Sequence, residues 1–398
     1  MEKSALSTVP EEEIRHRISS LQKRLGEAGL HGCLILEKVN LFYYTGTMQN
    51  GTLYVPSSGE PIFFIRRSLE RGMQESPLKI LRTYKRFKDI LPDLAGRDIA
   101  RLGIDETTTP VRLLSMLKDA FFATAFEDIS TILAEIRAVK SAYELALIRE
   151  AGKRHALLYE RIPGFISEGM TEWELGSRIV AAMFDLGFMG FMRLAGFNSE
   201  LFCGNICFGE SGTAPSAFEG PGGLAGQSPA FPLFASLRTL HKGDIIFIDT
   251  GFGHNGYYTD TTRIFSLGTP RPEAMDAHHT CLIIQEEIRR MLRPGVRPSE
   301  IYETIYNGSV HPKDFAQGFM GFGGNHVTFL GHGIGLVVDE FPAIAKKIEY
   351  PLQENMVIAV EPKKGLPGIG LVGIENTFVV TDKGGERLTR FPDEIGVL

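Results

Sequence analysis

The spacing of apolar residues predicts a small α/β domain at the start of the chain. Residues 10–29 place isoleucine and leucine on one helical face before Gly29, which predicts an amphipathic helix. Short apolar runs separated by turn residues then predict strands, with helical spacing between some of them. The predicted strands are residues 33–36, 52–55, 62–65 and 100–105, and the predicted helices are residues 68–74 and 111–121. We therefore expect a mixed-strand α/β domain over residues 1–135.

The rest of the chain, residues 136–398, repeats one order of elements. A long helix is predicted from Ser141, and a capping box at residues 171–174 predicts a second helix. Helical spacing returns over residues 272–292 and 299–306, and each pair of helices is followed by apolar runs joined by a turn. Two helices and a hairpin thus occur twice, which indicates an internal duplication within a second, larger α/β domain.

The first of these hairpins brings two acidic residues together. An apolar run over residues 245–248 ends at Asp249, and β-branched and aromatic residues return over residues 257–265 after a Gly- and Asn-containing turn. With the turn centred between residues 254 and 255, Asp249 faces Asp260, and facing Cβ atoms lie about 4.5–5.5 Å apart. Two carboxylates that close repel unless one is protonated or a cation lies between them.

The same hairpin contains a sequence that resembles a dinucleotide-binding motif. Residues 251–256 match G-x-G-x-x-G and follow a predicted strand. That motif must also open a helix, whereas the residues that follow here favour a strand. We therefore interpret the match as part of the hairpin turn.

The second hairpin repeats the acidic pair. An apolar run over residues 356–360 ends at Glu361, a Pro-Gly turn follows, and residues 371–381 are predicted to return as a strand. With the turn centred on Gly368, Glu361 faces Glu375. Buried carboxylates are rare unless they are paired or bind a metal, so two such pairs favour a metal centre over a solvated surface.

A histidine enclosed by glycines lies just before the second hairpin. Gly331, Gly333 and Gly335 surround His332, and glycine permits the close backbone approach that a crowded site requires. Imidazole together with carboxylates suits Mn, Fe, Co or Zn. His155, in contrast, lies on the predicted long helix and is interpreted as a helix-face histidine.

Composition excludes several classes of protein. The 398 residues are 43% apolar and carry a net charge of −6, so there is no basic surface for nucleic acid. Residues 1–17 are charged and lack the apolar segment of a secretory signal, and no apolar run approaches a membrane span. Four cysteines make neither a disulfide framework nor a zinc motif. A cytoplasmic protein is expected.

At this point the five candidate ligands, in their order and contexts, resemble the metal centre of the pita-bread metallopeptidases. That family includes methionine aminopeptidase and the creatinase, prolidase and Xaa-Pro aminopeptidase branch. The matches are IDTG around Asp249, YYTDTTR around Asp260, GHGIGL around His332, VEP around Glu361 and GIENT around Glu375. NLFYYTG and GEPIFFIRR in the first domain are similar to the extra N-terminal domain of the creatinase and Xaa-Pro branch.

The resemblance implies a pseudo-symmetric pita-bread catalytic domain, a homodimer and two divalent ions. Asp249 would bind one ion through both oxygens, His332 would bind the other with help from Glu361, and Asp260 and Glu375 would bridge. Such a pair of ions activates a water and polarises a carbonyl. Glu361 would then move a proton from water to the leaving amine, with His332 as the second catalytic residue.

Substrate-binding positions depart from the branch. Where it has histidine or arginine, this chain has Thr328 four residues before His332, Asp339 seven residues after it, and Gly373 two before Glu375. We expect Asp339 to bind a cationic or amine group of the substrate, with Thr328 and the nearby His326 in the same shell. The alternative is that the Asp339-Glu340 pair belongs to a solvated loop.

Three functions follow, in order of preference. The first is a metal-dependent peptidase that removes N-terminal residues or splits dipeptides, including Xaa-Pro bonds. The second is a hydrolase or lyase that acts on a non-peptide small molecule with the same centre. The third, a binding protein on an inactive peptidase fold, is opposed by the complete set of five ligands.

Overall fold

Two compact units divide the chain, Met1–Arg137 and Ala138–Leu398. The structure is a computed structural model that describes residues 8–308 and 310–398, and within them all side chains except those of Lys313 and Asp314. The charged start of the chain, residues 1–7, therefore lies outside the described residues. Within the described part, none of the helices combines the length and the apolar character needed to cross a bilayer.

The first unit is a mixed six-stranded sheet with helices. Its helices are α1 (Glu11–Glu27), α2 (Lys38–Thr45), α3 (Leu69–Glu75), α4 (Val111–Ala120) and α5 (Ser130–Ala138). Its strands are β1 (Gly32–Ile35), β2 (Gly51–Pro56), β3 (Ile62–Ile65), β4 (Leu81–Thr83), β5 (Arg101–Ile104) and β6 (Ala125–Asp128). The strand order is β4-β3-β2-β1-β5-β6, with antiparallel pairs in the centre and parallel pairs towards both edges.

Every element predicted for this unit is present. The apolar face of α1 is buried at Ile14, Leu21 and Leu25. Helices α2 and α5 and the edge strands β4 and β6 were not predicted. Helix α2 starts because the side chain of Glu37 accepts hydrogen bonds from two backbone amides, a cap that apolar spacing does not reveal.

The second unit contains the repeated order of elements. Its helices are α6 (Ala142–Arg161), α7 (Glu172–Asp185), α8 (Pro272–Met291) and α9 (Pro298–Asn307). Its strands are β7 (Gly204–Phe208), β8 (Ile245–His254), β9 (Tyr257–Ser266), β10 (Gly321–Phe322), β11 (Asn325–His326), β12 (Phe329–Gly333), β13 (Glu340–Ala345), β14 (Val357–Val360), β15 (Lys363–Leu366), β16 (Gly370–Gly373), β17 (Asn376–Thr381), β18 (Gly384–Arg387) and β19 (Gly396–Val397). Helices α6 and α7 precede the β8–β9 hairpin, and α8 and α9 precede the hairpin that starts at β14.

The second unit has two main sheets, and each contains strands of one of the two hairpins. One sheet has the order β19-β9-β8-β7 and the other β13-β12-β14-β17-β18, with β15-β16 and β10-β11 as separate pairs. A bridge between Thr262 and Glu375 joins the two sheets. Below them, one apolar core includes Phe247 from the first hairpin, Ile288 from α8 and Ile358 from the second hairpin. The acidic pairs therefore lie where the two halves of the duplication meet.

The register of the first hairpin differs from the prediction by two residues. Asn255 and Gly256 form a two-residue turn, and their φ angles are 47° and 94°. A tight hairpin turn of this kind requires positive φ at both residues. Asp249 consequently faces Thr262, and Asp260 faces Gly251. The two aspartates still project from the same face of the sheet, one step apart along the strands.

The register of the second hairpin agrees with the prediction. Val360 pairs with Asn376 at the end of one ladder, and Lys363 pairs with Gly373 at the start of the next. Glu361 and Glu375 lie opposite each other in the interval between the two ladders. The interrupted pairing there leaves both carboxylates free to turn into the cavity described below.

Candidate metal centre

The five predicted ligands line one cavity of about 360 Å³. Strands β8 and β9 supply Asp249 and Asp260, β12 supplies His332, and the second hairpin supplies Glu361 and Glu375. The four carboxylates are buried, and the side chain of His332 is 13% exposed. The cavity also receives side chains and backbone from the loops before β8. Elements distant in sequence thus converge on one acidic pocket.

Helix α6 supports the first hairpin from behind. His155 lies 3.0 Å through Nε2 from the Thr250 hydroxyl and 3.1 Å through Nδ1 from the Thr259 hydroxyl. The hydroxyl of Tyr159 donates to the carbonyl of Thr261. His155 therefore braces residues next to both aspartates and lies outside the group of candidate ligands, as predicted. Burial lowers the pKa of its imidazole to about 3, so the ring is neutral.

The glycines around His332 permit the close packing that the sequence indicated. A Cβ atom at Gly331 would lie 2.3 Å from the carbonyl oxygen of Ala359, and one at Gly333 would lie 2.4 Å from that of Phe341. Nδ1 of His332 is 3.1 Å from the carbonyl of Gly333, which can only accept a hydrogen bond. The proton is therefore on Nδ1, and Nε2 offers its lone pair to the cavity.

Glu375 is held by the first hairpin but keeps one oxygen unused. Its Oε2 accepts a hydrogen bond from the Thr262 hydroxyl at 3.0 Å, and its backbone carbonyl accepts one from Arg263. Its Oε1 is buried and, among the described residues, has no hydrogen-bond partner. A buried carboxylate oxygen without a donor is unfavourable unless a cation binds it.

A lysine that was not predicted from the sequence also lies inside the cluster. Nζ of Lys363 is 2.9 Å from Asp249 Oδ2, 2.8 Å from Glu361 Oε2 and 2.9 Å from Glu375 Oε2. Its side chain is 1% exposed. The sequence did contain a signal for this contact, since Lys363 follows Glu361 by two residues and strand side chains alternate between faces.

The electrostatics of the pocket follow from burial. Desolvation raises the pKa of Asp249 to about 6, and the Lys363 ammonium opposes that rise. Desolvation, followed by the charges of Glu375 and Asp249, raises the pKa of Asp260 well above its usual value. Among the described residues, Asp260 forms no ion pair, so its charge is the least compensated in the cluster.

The donor set fits one divalent ion. Asp260, His332 and Glu375 each offer a ligand atom, and these atoms lie within 4.8 Å of one another. The unused Glu375 Oε1 and the free Nε2 of His332 belong to this set. The expected second ion, bound by both oxygens of Asp249, does not fit in the same way, because Asp249 already contacts the Lys363 ammonium.

The predicted substrate-binding residues lie on two sides of His332. Asp339 lines the cavity of the predicted ligands, and its Oδ1 accepts a hydrogen bond from the amide of Ala195 at 2.7 Å. His326 and Thr328 are exposed and line an adjoining cavity that also reaches His332 and Asp339.

The alternative of a solvated Asp339-Glu340 pair is wrong for Glu340. That residue is buried at the start of β13 and forms an ion pair with Lys140 at 3.2 Å.

Sequence comparison identifies both units. The profile of metallopeptidase family M24 matches residues 146–382, and that of the creatinase/prolidase N-terminal domain matches residues 17–139. An Xaa-Pro dipeptidase from Pyrococcus furiosus is 26% identical over 384 residues, which cover 96% of this chain and all of that protein.

Solved structures share the same fold. An Xaa-Pro dipeptidase from Bacillus anthracis superposes with a TM-score of 0.81 at 23% identity, covering 97% of this chain and 100% of that one. An X-Pro aminopeptidase from Thermotoga maritima gives a TM-score of 0.77 at 25% identity, covering 96% and 99%. The expected fold, a mixed α/β N-terminal domain followed by a pita-bread catalytic domain, is confirmed. The chain belongs to metallopeptidase family M24 and carries the N-terminal domain of its creatinase and prolidase members.

Proposed function

We propose that this protein is a metal-dependent peptidase that removes the N-terminal residue of short peptides or splits dipeptides. The observation that carries this function is the convergence of four buried carboxylates and His332 on one cavity large enough for a short peptide. The Pyrococcus furiosus relative bears the name Xaa-Pro dipeptidase, which makes a bond before proline the first to test.

The residues of the pocket divide the work of hydrolysis. Asp260, His332 and Glu375 would hold a divalent ion, which lowers the pKa of a water and polarises a carbonyl. Glu361 projects into the same cavity and has one oxygen, Oε2, bound to Lys363. Its other oxygen is 3.5 Å from His332 and is placed to accept a proton and return it to the leaving amine.

A panel of peptides tests this function. The purified protein, loaded with manganese, is incubated with short peptides that differ in whether proline follows the first residue. Asp260→Ala serves as the blank. We expect it to lose nearly all activity, because the ion would lose one of the carboxylates that bind it and balance its charge. Cleavage that requires proline supports Xaa-Pro specificity, whereas cleavage without that requirement supports a broader peptidase.

Asp339 is proposed to select the charge of the substrate. Its carboxylate lies in the cavity and already fixes the loop at Ala195, a hydrogen bond that an asparagine oxygen can also accept. Asp339→Asn should therefore keep the pocket and remove the charge. We expect the ratio of kcat/KM for substrates with and without a positive charge to fall by roughly tenfold, as loss of an ion pair of about 1.4 kcal/mol would give. An unchanged ratio would show that Asp339 serves the loop alone.

A second candidate function follows from the altered substrate shell. Thr328, Asp339 and Gly373 replace the histidines and arginine of the Xaa-Pro branch, which favours a substrate without the usual peptide groups. A hydrolase or lyase acting on a non-peptide small molecule is therefore kept as the alternative. Bound metal together with no cleavage of any peptide in the panel would favour it.

Further features are proposed from the resemblance. We expect manganese, cobalt, zinc or iron as the native ion, a homodimer, and a cytoplasmic location. Residues 1–135 and 136–398 are proposed as the functional domains, with His326 and Thr328 near the substrate. A net charge of −6 agrees with a function that does not involve nucleic acid.

A further inference from the structure

We propose, building on the function proposed above, that the ammonium of Lys363 permanently replaces one of the two metal ions of this centre. The chain would then hold a single divalent ion, bound by Asp260, His332 and Glu375. The centre would be a hybrid of one exchangeable cation and one cation that belongs to the polypeptide.

The contacts of Lys363 are those of a bound cation. Its Nζ lies within 2.9 Å of one oxygen from each of Asp249, Glu361 and Glu375. An ammonium has three donors, and all three are directed to carboxylates here. A divalent ion on Asp249 would need the same oxygens at about 2.0–2.6 Å. It would therefore lie next to a positive charge in a buried site, where like charges repel strongly.

The backbone is shaped to bring this lysine into the centre. Lys363 starts strand β15, directly opposite Gly373 in the ladder. A Cβ atom at Gly373 would lie 2.9 Å from Cγ of Lys363 and 2.6 Å from its Cα. The missing side chain at Gly373 thus provides the space through which the lysine stem passes. The next residue, Lys364, projects away from the centre and donates to the carbonyl of Phe315.

One position for a metal ion remains beside the lysine. When all four carboxylates are ionised, a single ammonium offsets one of their four charges. Asp260 has no ion-pair partner among the described residues, and Glu375 Oε1 has no hydrogen-bond donor there. Both lie close to His332, since one ligand atom from each of the three residues lies within 4.8 Å of the others. A divalent ion bound by these three residues would compensate most of the charge that Lys363 leaves.

The experiment counts metal ions without measuring activity. The protein is saturated with manganese, freed of excess ion and analysed for metal by mass spectrometry. We expect one ion per chain in the unaltered protein and two in Lys363→Ala, because that substitution empties the position beside Asp249. Lys364→Ala is the matched control, since it removes the neighbouring ammonium that binds carbonyl oxygens, and it should keep one ion.

A spectroscopic measurement covers the case in which Lys363→Ala does not fold. Electron paramagnetic resonance of the manganese-loaded unaltered protein should show isolated ions, whereas two adjacent ions would be magnetically coupled. Two ions per chain, or a coupled spectrum, in the unaltered protein would overturn the replacement. So would a folded Lys363→Ala that still binds one ion, and so would an unaltered protein that binds none. A protein that binds one ion but cleaves no peptide would contradict the proposed peptidase function and leave the replacement of one ion by Lys363 supported.

Discussion

At the residue scale, the convergence of four acids and His332 was predictable, whereas the lysine among them was not. Asp249 and Glu361 each end an apolar run, and a buried carboxylate in such a position indicates a partner of opposite charge. The acids and His332 were predictable because they belong to the residue types that bind metals. Lys363 was not predicted, although its ammonium supplies part of the positive charge that was expected from metal ions alone.

His155, which lies outside the metal centre, makes the stability of the fold depend on pH. Its pKa is lowered by burial to about 3, whereas an unfolded histidine has a pKa of about 6.5. The folded state therefore binds this proton less readily, and the stabilisation present above pH 6.5 is lost as the pH falls towards 3. Between about pH 7 and pH 5 we expect His155 to cost about 2 kcal/mol of the free energy of unfolding.

Urea unfolding at both pH values measures this effect. His155→Gln should lower stability at neutral pH, because hydrogen bonds to the threonines change, but it should lose less on acidification than the unaltered protein does. His279→Gln is the control at an exposed position on α8. An equal loss of stability on acidification in His155→Gln and the unaltered protein would contradict a buried neutral imidazole.

At the element scale, turn chemistry determined what apolar spacing could not. The spacing located the first hairpin correctly but left its register open. When the centre of the turn moves by one residue along the chain, each residue of the first strand faces a residue two positions further along the second. Asn255-Gly256 is the preferred pair for a two-residue turn, and centring the turn there gives the observed pairing of Asp249 with Thr262. The error came from the choice of turn centre.

The close approach of β12 to β14 predicts the effect of one methyl group. In Gly331→Ala the new Cβ would meet the backbone oxygen of Ala359 at 2.3 Å, so β12 must move and His332 moves with it. We expect a loss of about 1–3 kcal/mol in unfolding free energy and weaker retention of manganese. Gly164→Ala, where a Cβ meets nothing within 4 Å, is the control.

Denaturant unfolding and metal analysis of both variants give the comparison. If Gly331→Ala retained manganese as well as Gly164→Ala does, the position of His332 would not depend on this contact between strands.

At the scale of the whole molecule, the sequence indicated the duplication but not how its halves join. The join depends on the Thr262–Glu375 bridge and on Arg263, which is 1% exposed and donates to the carbonyls of Thr262 and Glu375. The bridge and the bond from Arg263 to Glu375 connect residues more than a hundred positions apart, and no local pattern specifies which distant backbone groups will pair. The order of helices and strands was therefore predictable, whereas the contacts that join the two halves at the centre were not.

Because Lys363 is part of the chain, its side of the centre and the side that binds an ion respond differently to the supply of metal. An ion taken from solution stabilises the folded state by mass action, by about 2.7 kcal/mol when its free concentration is a hundred times its Kd. An ammonium fixed by covalent bonds has no such concentration dependence and cannot be removed by a chelator. The carboxylates of Asp249 and Glu361 thus keep their shared ammonium partner when metal is scarce. Scarcity would be registered at Asp260, His332 and Glu375, and the side of the pocket beside Asp249 would keep its cation until an ion returns.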